Sequence, residues 1–393
     1  MESIVIYPFL LGEKIRCRSK MTEFTVQVIT TSTELSALEA SWNELLAKER
    51  EPSIFLTWEW MKSWLESVGQ TVELFIIAVH DQPGNLVAVA PFYCSTMTLV
   101  SGPTYKVLRI MGDCHSGAEY QDVIIRDGLG NTPLGKISEI LEEERTHWDL
   151  AWFPNVASWT GALDRLQQCF TVGNYFFRQR ERSFSAVSLP NTWEDYLQNF
   201  SRQRRSTLRR QQRKIEREHN IAFTICRIEN DIEDFLKQLF LLHKKRWRPA
   251  GHDGAFVRSP VMMEFYRKIA PRVLQQGWLG LFALQVDGQV VAIQYGYVFH
   301  GVFSQLQEGF DPDGPAGSGN VLRMHVLRWC IENDIRVYDF LGGVSPHKAK
   351  WQAVEKTGCE LFVGSKKFKN IPFYLLPLWP TGRYVRREDP DNQ

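Results

Sequence analysis

The chain of 393 residues is too long for one typical domain and long enough to bury two cores. Hydrophobic residues make up 44% and charged residues 23%, and a net charge of +1 excludes a polycation built to coat nucleic acid. Seven cysteines (Cys17, Cys94, Cys114, Cys169, Cys226, Cys330, Cys359) are scattered without a C-x-x-C pair, and nine histidines include no H-E-x-x-H. No metal site and no disulfide framework are therefore expected, and a reducing, cytoplasmic setting fits.

No apolar run approaches the ~20 residues of a membrane span. The opening MESIVIYPFLLGEKIRCRSK has an early Glu2 and no small-residue cleavage site, so it is not expected to be a signal peptide. Met21 opens a cleaner domain start, which makes residues 1–21 an expected N-terminal extension.

Alternation at 22–30 predicts a strand, and Thr33 opens a predicted helix to about Lys48 with Trp42 and Leu45 inward. The segment 52–69 is an aromatic helix in which Phe55, Trp58, Trp60 and Trp64 form a stripe expected in the core. Residues 73–93 predict a hairpin about Pro83-Gly84-Asn85, followed by short strands at 107–112 and 122–125. A helix over Pro133–Arg145 leads to a strand at 148–153. After a link at about 172–192 the plan repeats: helices at 193–219, 231–248 and 260–276, then a hairpin at 278–299 with an Asp287-Gly288 turn. Two such series imply a duplicated α/β unit.

Residues 302–351 then read as strand, Gly-rich loop, helix, strand, with the loop meeting the helix at Ser318-Gly319-Asn320. Free N–H groups at a helix start, with glycines allowing close approach, suit a phosphate or pyrophosphate; an ordinary helix capped by Ser318 or Asn320 is the plainer alternative.

The stretches SIFLTWEWMKSWLE, LVAVAPFY, EYQDVII, FSRQRRSTLRRQQRKIE, FLLHKKRW, GFDPDGPAGSGNVL and YDFLGGVSPHKAKW occur in that order. Together they resemble the tandem GNAT arrangement of FemABX-like transferases, nearest the BioF2-like, CelD/BcsL-type acetyltransferases of bacterial cellulose and exopolysaccharide biosynthesis. The resemblance runs from about residue 25 to 368 and implies fold class α/β (α+β): two tandem GNAT-like domains with mixed β-sheets flanked by helices. The expected division is an N-terminal GNAT-like domain at 22–190, a C-terminal acyl-CoA-binding one at 191–370, and a tail at 371–393.

The resemblance also implies an acyl group carried on acetyl-CoA or another acyl-CoA. It places the pyrophosphate on Gly317, Ser318, Gly319 and Asn320, and the acyl carbonyl at a splayed end of strand 302–308. The family's second signature keeps Asp339, Phe340, Gly343, Pro346 and Lys348 here, but Val344 and Ser345 replace its acidic pair and His347 replaces its Tyr. The carboxylate that would serve as base is thus absent. Asp339, His347, Asp311 or a water are the substitutes, His347 being the better base on chemistry and Lys348 a phosphate or charge-stabilising group; a solvated loop explains His347 and Lys348 equally. His243, Arg246 and Trp247 border the implied acceptor pocket, Trp247 offering a stacking face for a sugar or else simply being buried. Tyr120 and Asp122 face a cleft between the units or merely cap a strand.

Residues 200–218 hold seven Arg and one Lys, a solvated helix or a rim for an anionic partner. Aromatic interleaving is absent, so nucleic acid is not expected as a partner. The tail mixes Phe373, Tyr374, Leu376 and Trp379 with Arg383 and Arg386; prolines 372, 377 and 380 rule out a long helix, and packing on the first domain is favoured over peripheral membrane contact. The implied acceptor is a small molecule or saccharide, with polysaccharide-synthesis machinery as a partner. Aminoacyl-tRNA as donor, or a non-catalytic GNAT-fold subunit of a polysaccharide synthase, are the alternatives.

Overall fold

The computed structural model describes residues 24–69, 72–99, 102–247, 251 and 254–375; the expected N-terminal extension and most of the tail lie outside them. Among the described residues the strands are β1 (Thr25–Ile29), β2 (Glu73–His80), β3 (Leu86–Thr98), β4 (Thr104–Ile110), β5 (Ile124–Ile125), β6 (Leu150–Val156) and β7 (Tyr175–Ser188). They continue with β8 (Ile221–Ile225), β9 (Leu279–Val286), β10 (Gln289–Phe299), β11 (Val302–Phe310), β12 (Val337–Gly342) and β13 (Val354–Ser365). The helices are α1 (Ser32–Ala37), α2 (Glu39–Leu46), α3 (Trp58–Val68), α4 (Thr132–Glu143), α5 (Ala162–Gln168), α6 (Trp193–Gln198) and α7 (Arg202–Glu218). After them come α8 (Ile232–Trp247), α9 (Gly254–Arg258), α10 (Pro260–Gln275), α11 (Ser318–Glu332), α12 (Pro346–Ala349) and α13 (Ile371–Leu375).

All the strands share one mixed sheet in the order β1-β2-β3-β4-β6-β13-β7-β12-β11-β10-β9-β8, with β5 attached to β3. From either edge inward the plan is the same. The fourth and fifth strands of each half pair in parallel, Val107↔Leu150 in the first and Val302↔Val337 in the second, joined through α4 and α11. The halves then exchange their last strands: β7 pairs with β12, β13 pairs with β6, and β7 and β13 pair with each other from Val354↔Ala186 to Ser365↔Tyr175.

Both expected hairpins form, as does the crossover unit from β11 through α11 to β12. Three strands went unread, among them the short β8 after α7. The stretch expected as a link holds β7, whose centre Arg178-Gln179-Arg180-Glu181-Arg182 carries no apolar alternation, and the polar start Val354-Glu355-Lys356-Thr357 likewise conceals β13. The first helix is broken at Leu38 into α1, closed by a Thr31–Glu34 capping box, and α2; the 193–219 helix is broken at 199–201, where Ser201 caps α7.

The aromatic stripe is core, as expected, and its core is shared between halves: Trp60 of α3 packs on Phe265 of α10 at 4.9 Å and on Tyr297 of β10 at 5.3 Å. On the opposite sheet face, α4 and α5 cover the first half and α6, α7 and α11 the second. Phe373 of α13 is buried against Tyr105 and Phe362, so this part of the tail packs on the first half.

Candidate active site

The cleft begins with a strand that leaves its neighbour. β11 and β12 pair only as far as Ser304↔Asp339; beyond it β11 stays with β10 while β12 turns toward β7. Register with β10 slips between Tyr295 and Gly296, which oppose Gln307 and Gln305 and leave Leu306 as the extra residue. The bulge sets Gln305 and Glu308, three apart, toward one partner: the buried guanidinium of Arg323 on α11 bonds Glu308 and reaches Gln305 Oε1 at 3.4 Å.

Glu308 is the centre of a charge cluster. Arg246 of α8 meets its second oxygen at 2.8 Å. Burial works against the Glu308 charge, yet Arg323 and Arg246 outweigh it and hold the carboxyl down to about 2. Arg323 also donates to His347 Nε2, which leaves the proton of a neutral ring on Nδ1. Burial, then Arg323, push the His347 pKa below its ordinary value. Arg323 Nε and Gln294 Oε1 are buried without a partner among the described residues.

A cavity of about 610 Å³ opens beside this cluster, between the loop 311–317, the start of α11, Gln211 of α7, and Arg246 and Trp247 of α8. Gly317 stands at the N-cap of α11 with φ of 95° and provides no side-chain cap, so the first N–H groups of the helix have no side chain closing them. A Cβ there would also press on Gln211 at 3.0 Å, whereas one at Gly319 would meet only Phe310 at 3.6 Å. Ser318 Oγ donates to Pro315 O at 2.6 Å, Asn320 Nδ2 donates to Gln211 Oε1 at 3.2 Å, and Asp311 of the same loop is paired with Lys245 at 2.7 Å.

The cleft continues into a cavity of about 360 Å³ at the end of β12, which Arg246, Trp247, Glu308, Arg323 and His347 also line. Here β12 is distorted: Leu341 has φ of 60° and the register with β7 slips between Asp339 and Gly342. Three side chains hold the distortion. Asp339 Oδ1 accepts from Leu341 N at 2.8 Å, and Lys348 Nζ donates to the carbonyls of Phe340 (2.9 Å), Gly342 (2.6 Å) and Gly343 (2.8 Å). The third is Glu119, from the loop before β5, which accepts from Gly342 N.

Asp339 faces away from His347. Its Oδ2 accepts from Tyr120 at 2.6 Å, and both residues line a separate cavity of about 470 Å³ that Asp122 shares. Asp122 is buried and paired with Arg165. His243 lies beneath this surface, accepting from Trp247 Nε1 at 3.1 Å, and burial pushes it down to about 4.

The structure thus gathers Gly317, Ser318, Gly319, Asn320, Asp311, Arg246, Trp247 and His347 about one cavity and adds Lys348 at its continuation. Tyr120, Asp122 and Asp339 stand apart with the third. Arg323, Glu308, Gln305 and Glu119 escaped sequence reasoning. The one available signal was Arg323, a charge on the apolar face of a helix that otherwise reads Val321, Leu322, Met324, Val326, Leu327.

Residues 202–349 match the model of the acetyltransferase (GNAT) domain, a span that contains the residues lining the splayed cleft except Gly117 and Glu119. FemX shares the fold with a TM-score of 0.61 over 90% of this chain and 100% of FemX at 12% identity. The fold is the tandem GNAT-like one. L-PGS from Bacillus licheniformis superposes with a TM-score of 0.50 at 15% identity, over 86% of this chain and 93% of that one. No curated protein matches the chain. In this GNAT-like frame α11 is the helix whose start faces the cleft. Among the described residues no cluster of His, Cys, Asp and Glu is arranged to hold a metal ion, and no helix is long and apolar enough to cross a membrane.

Proposed function

We propose that the chain is an acyl-CoA-dependent N- or O-acyltransferase, an acetyltransferase in the simplest case. The observation that carries the reading is the start of α11, opened by Gly317 and facing the 610 Å³ cavity next to the β11–β12 splay. Pyrophosphate binds there through backbone N–H groups and the helix dipole, with Arg246 close by for charge. The pantetheine arm then follows the splay, where strand edges offer N–H and C=O groups, and brings the thioester to the second cavity. That the acceptor is a saccharide or polysaccharide precursor, in a cytoplasmic setting, rests on the likeness to BioF2-like, CelD-type sequences and on the face of Trp247.

Calorimetric titration with acetyl-CoA tests the donor site. Saturable binding by the wild type, weakened about 100-fold in Gly319→Glu, is the expected result; absence of binding to the wild type overturns it. A Cβ fits at residue 319, so loss in the variant reports the site rather than the fold.

A second reading keeps the fold and takes aminoacyl-tRNA as donor. The exposed arginines of α7 favour it: Arg202, Arg209, Arg210 and Arg213 all face solvent. Transfer that RNase abolishes would decide for it.

A further inference from the structure

We propose that Glu119, supplied by the N-terminal half, is the proton acceptor of the transfer reaction, so that the first half completes a catalytic centre the GNAT domain alone lacks. The inference rests on the acyl-CoA reading above.

Four acidic or basic groups near the cleft are already committed. Glu308 is ion-paired on both oxygens, to Arg323 and Arg246. His347 has its Nε2 lone pair on Arg323. Asp339 uses one oxygen on Tyr120 and the other on Leu341 N, and Asp311 holds Lys245. Glu119 differs. One oxygen takes the Gly342 N–H and lies so close to Gly342 that a Cβ there would meet Oε1 at 2.8 Å. The other, Oε2, is shielded from solvent and has no partner among the described residues, and the residue lines the cavity at the end of the splay.

Its surroundings suit a base. Asp339 from β12 repels its charge, while Lys348 of α12 and Arg182 of β7 attract it; Glu308, Arg323, Arg246 and His347 line the same cavity. Burial and then Asp339 push the carboxyl up to about 8. That is close to an ordinary thiol at about 8.5, so one group can take a proton from the acceptor and return it to the departing thiolate.

The step balances. The acceptor N–H or O–H loses its proton to Glu119 Oε2 as its lone pair forms the new C–N or C–O bond. The tetrahedral centre collapses, the C–S bond breaks with its electron pair on sulfur, and Glu119 returns the proton to give free CoA thiol. Lys348, its N–H groups directed at three carbonyls of the β12 end, is a positioning residue: it holds Gly342 against Glu119.

The test uses the full chain, with acetyl-CoA as donor and hydroxylamine as acceptor. Calorimetry comes first. Wild type and Glu119→Gln should bind acetyl-CoA within about threefold of each other; if neither binds, the donor reading has failed and this inference falls with it. With binding established, wild-type thiol release should climb with pH to a plateau above about 8, and Glu119→Gln should be slower by about 100-fold or more with that limb gone. Equal rates, or an unchanged pH profile, overturn the proposal. Carbodiimide labelling with a mass readout reaches the same carboxyl without turnover. Glu119 should be modified in the free protein and protected by acetyl-CoA; an unlabelled Glu119, or labelling that saturating acetyl-CoA leaves unchanged, overturns the proposal as well.

Discussion

The two halves of the sheet present the same step with opposite outcomes. By pairing register, Val107↔Leu150 and Leu108↔Ala151 in the first half stand where Phe303↔Tyr338 and Ser304↔Asp339 stand in the second. The next residue of the fourth strand is Arg109 in one and Gln305 in the other. Arg109 is buried, bonds Asp113 at 2.6 Å and lies 4.7 Å over the ring of Trp152 of β6. Gln305 instead lines an open cavity, and the buried arginine of that half, Arg323, comes from the helix. Both ladders stop at this step; in one half the buried cation spans the gap onto Trp152 of the neighbouring strand, and in the other it sits on α11 and the gap opens into a cavity. What makes a site here is where the charge is anchored, since the topology is common to both.

The largest effect should come from removing each cation. Arg323→Met leaves Glu308, a half-buried carboxylate, with Arg246 alone and should cost about 3 kcal/mol in urea denaturation. Adding Glu308→Gln should recover at least half of it. Arg109→Met should destabilise comparably, yet leave the acetyl-CoA affinity of the folded protein unchanged, whereas Arg323→Met should weaken both. Equal effects on binding would break the comparison.

The helix starts give the next contrast. Gly319→Glu puts a carboxylate at the open end of α11 and should weaken acetyl-CoA binding about 100-fold, near 3 kcal/mol, with little change in melting temperature. Thr132→Glu makes the same change at the exposed start of α4, in the half closed by Arg109, and should leave binding as it was. Calorimetry on the two variants reads the difference directly.

Glu119 tests how the halves are joined. Its carboxyl is raised to about 8 in the folded protein from an ordinary 4.5, so the folded state keeps a proton the unfolded chain releases between those values. Its contribution to stability is therefore fully present below about pH 4.5, declines as pH rises to 8, and is level above. A tenfold change in proton affinity corresponds to about 1.4 kcal/mol; with solvent relaxation around the carboxylate an effect of about 2 kcal/mol is expected. Glu119→Gln removes the slope, so the variant should gain on the wild type by that amount between about pH 5 and 8.5 in urea melts.

Much of this frame was legible in the sequence, because hairpins and a crossover helix declare themselves through period and turn chemistry. Gly317 to Asn320 marked the loop that lines the larger cavity, because glycines at a helix start allow close approach to its free N–H groups. The exchanged strands were not legible, since Arg178 to Arg182 include no apolar residue and are held as a strand by pairing with β13, from Phe362↔Arg178 to Gly358↔Arg182. The charge cluster was hidden differently. Arg246, Glu308, Arg323 and His347 come from four elements, and the bulge at Leu306 that aligns Gln305 with Glu308 leaves no mark in local periodicity. Glu119 was passed over for its neighbours Tyr120 and Asp122, which the structure turns toward another cavity.

The smallest effect separates the two donor readings. Arg209 and Arg213 of α7 are exposed and form no ion pair among the described residues. Each is two positions from Gln211, about 160–200° around the helix from the residue that touches the start of α11. Arg209→Gln with Arg213→Gln should therefore change stability by less than about 0.5 kcal/mol. At 0.15 M salt, where charges are screened beyond about 8 Å, acetyl-CoA affinity should shift by less than about threefold. A CoA donor in the larger cavity would reach only the inner side of α7, so under that reading the pair can be lost without consequence. A tRNA donor would need the outer side, and the same double variant would then lose RNase-sensitive transfer with a reduced salt dependence.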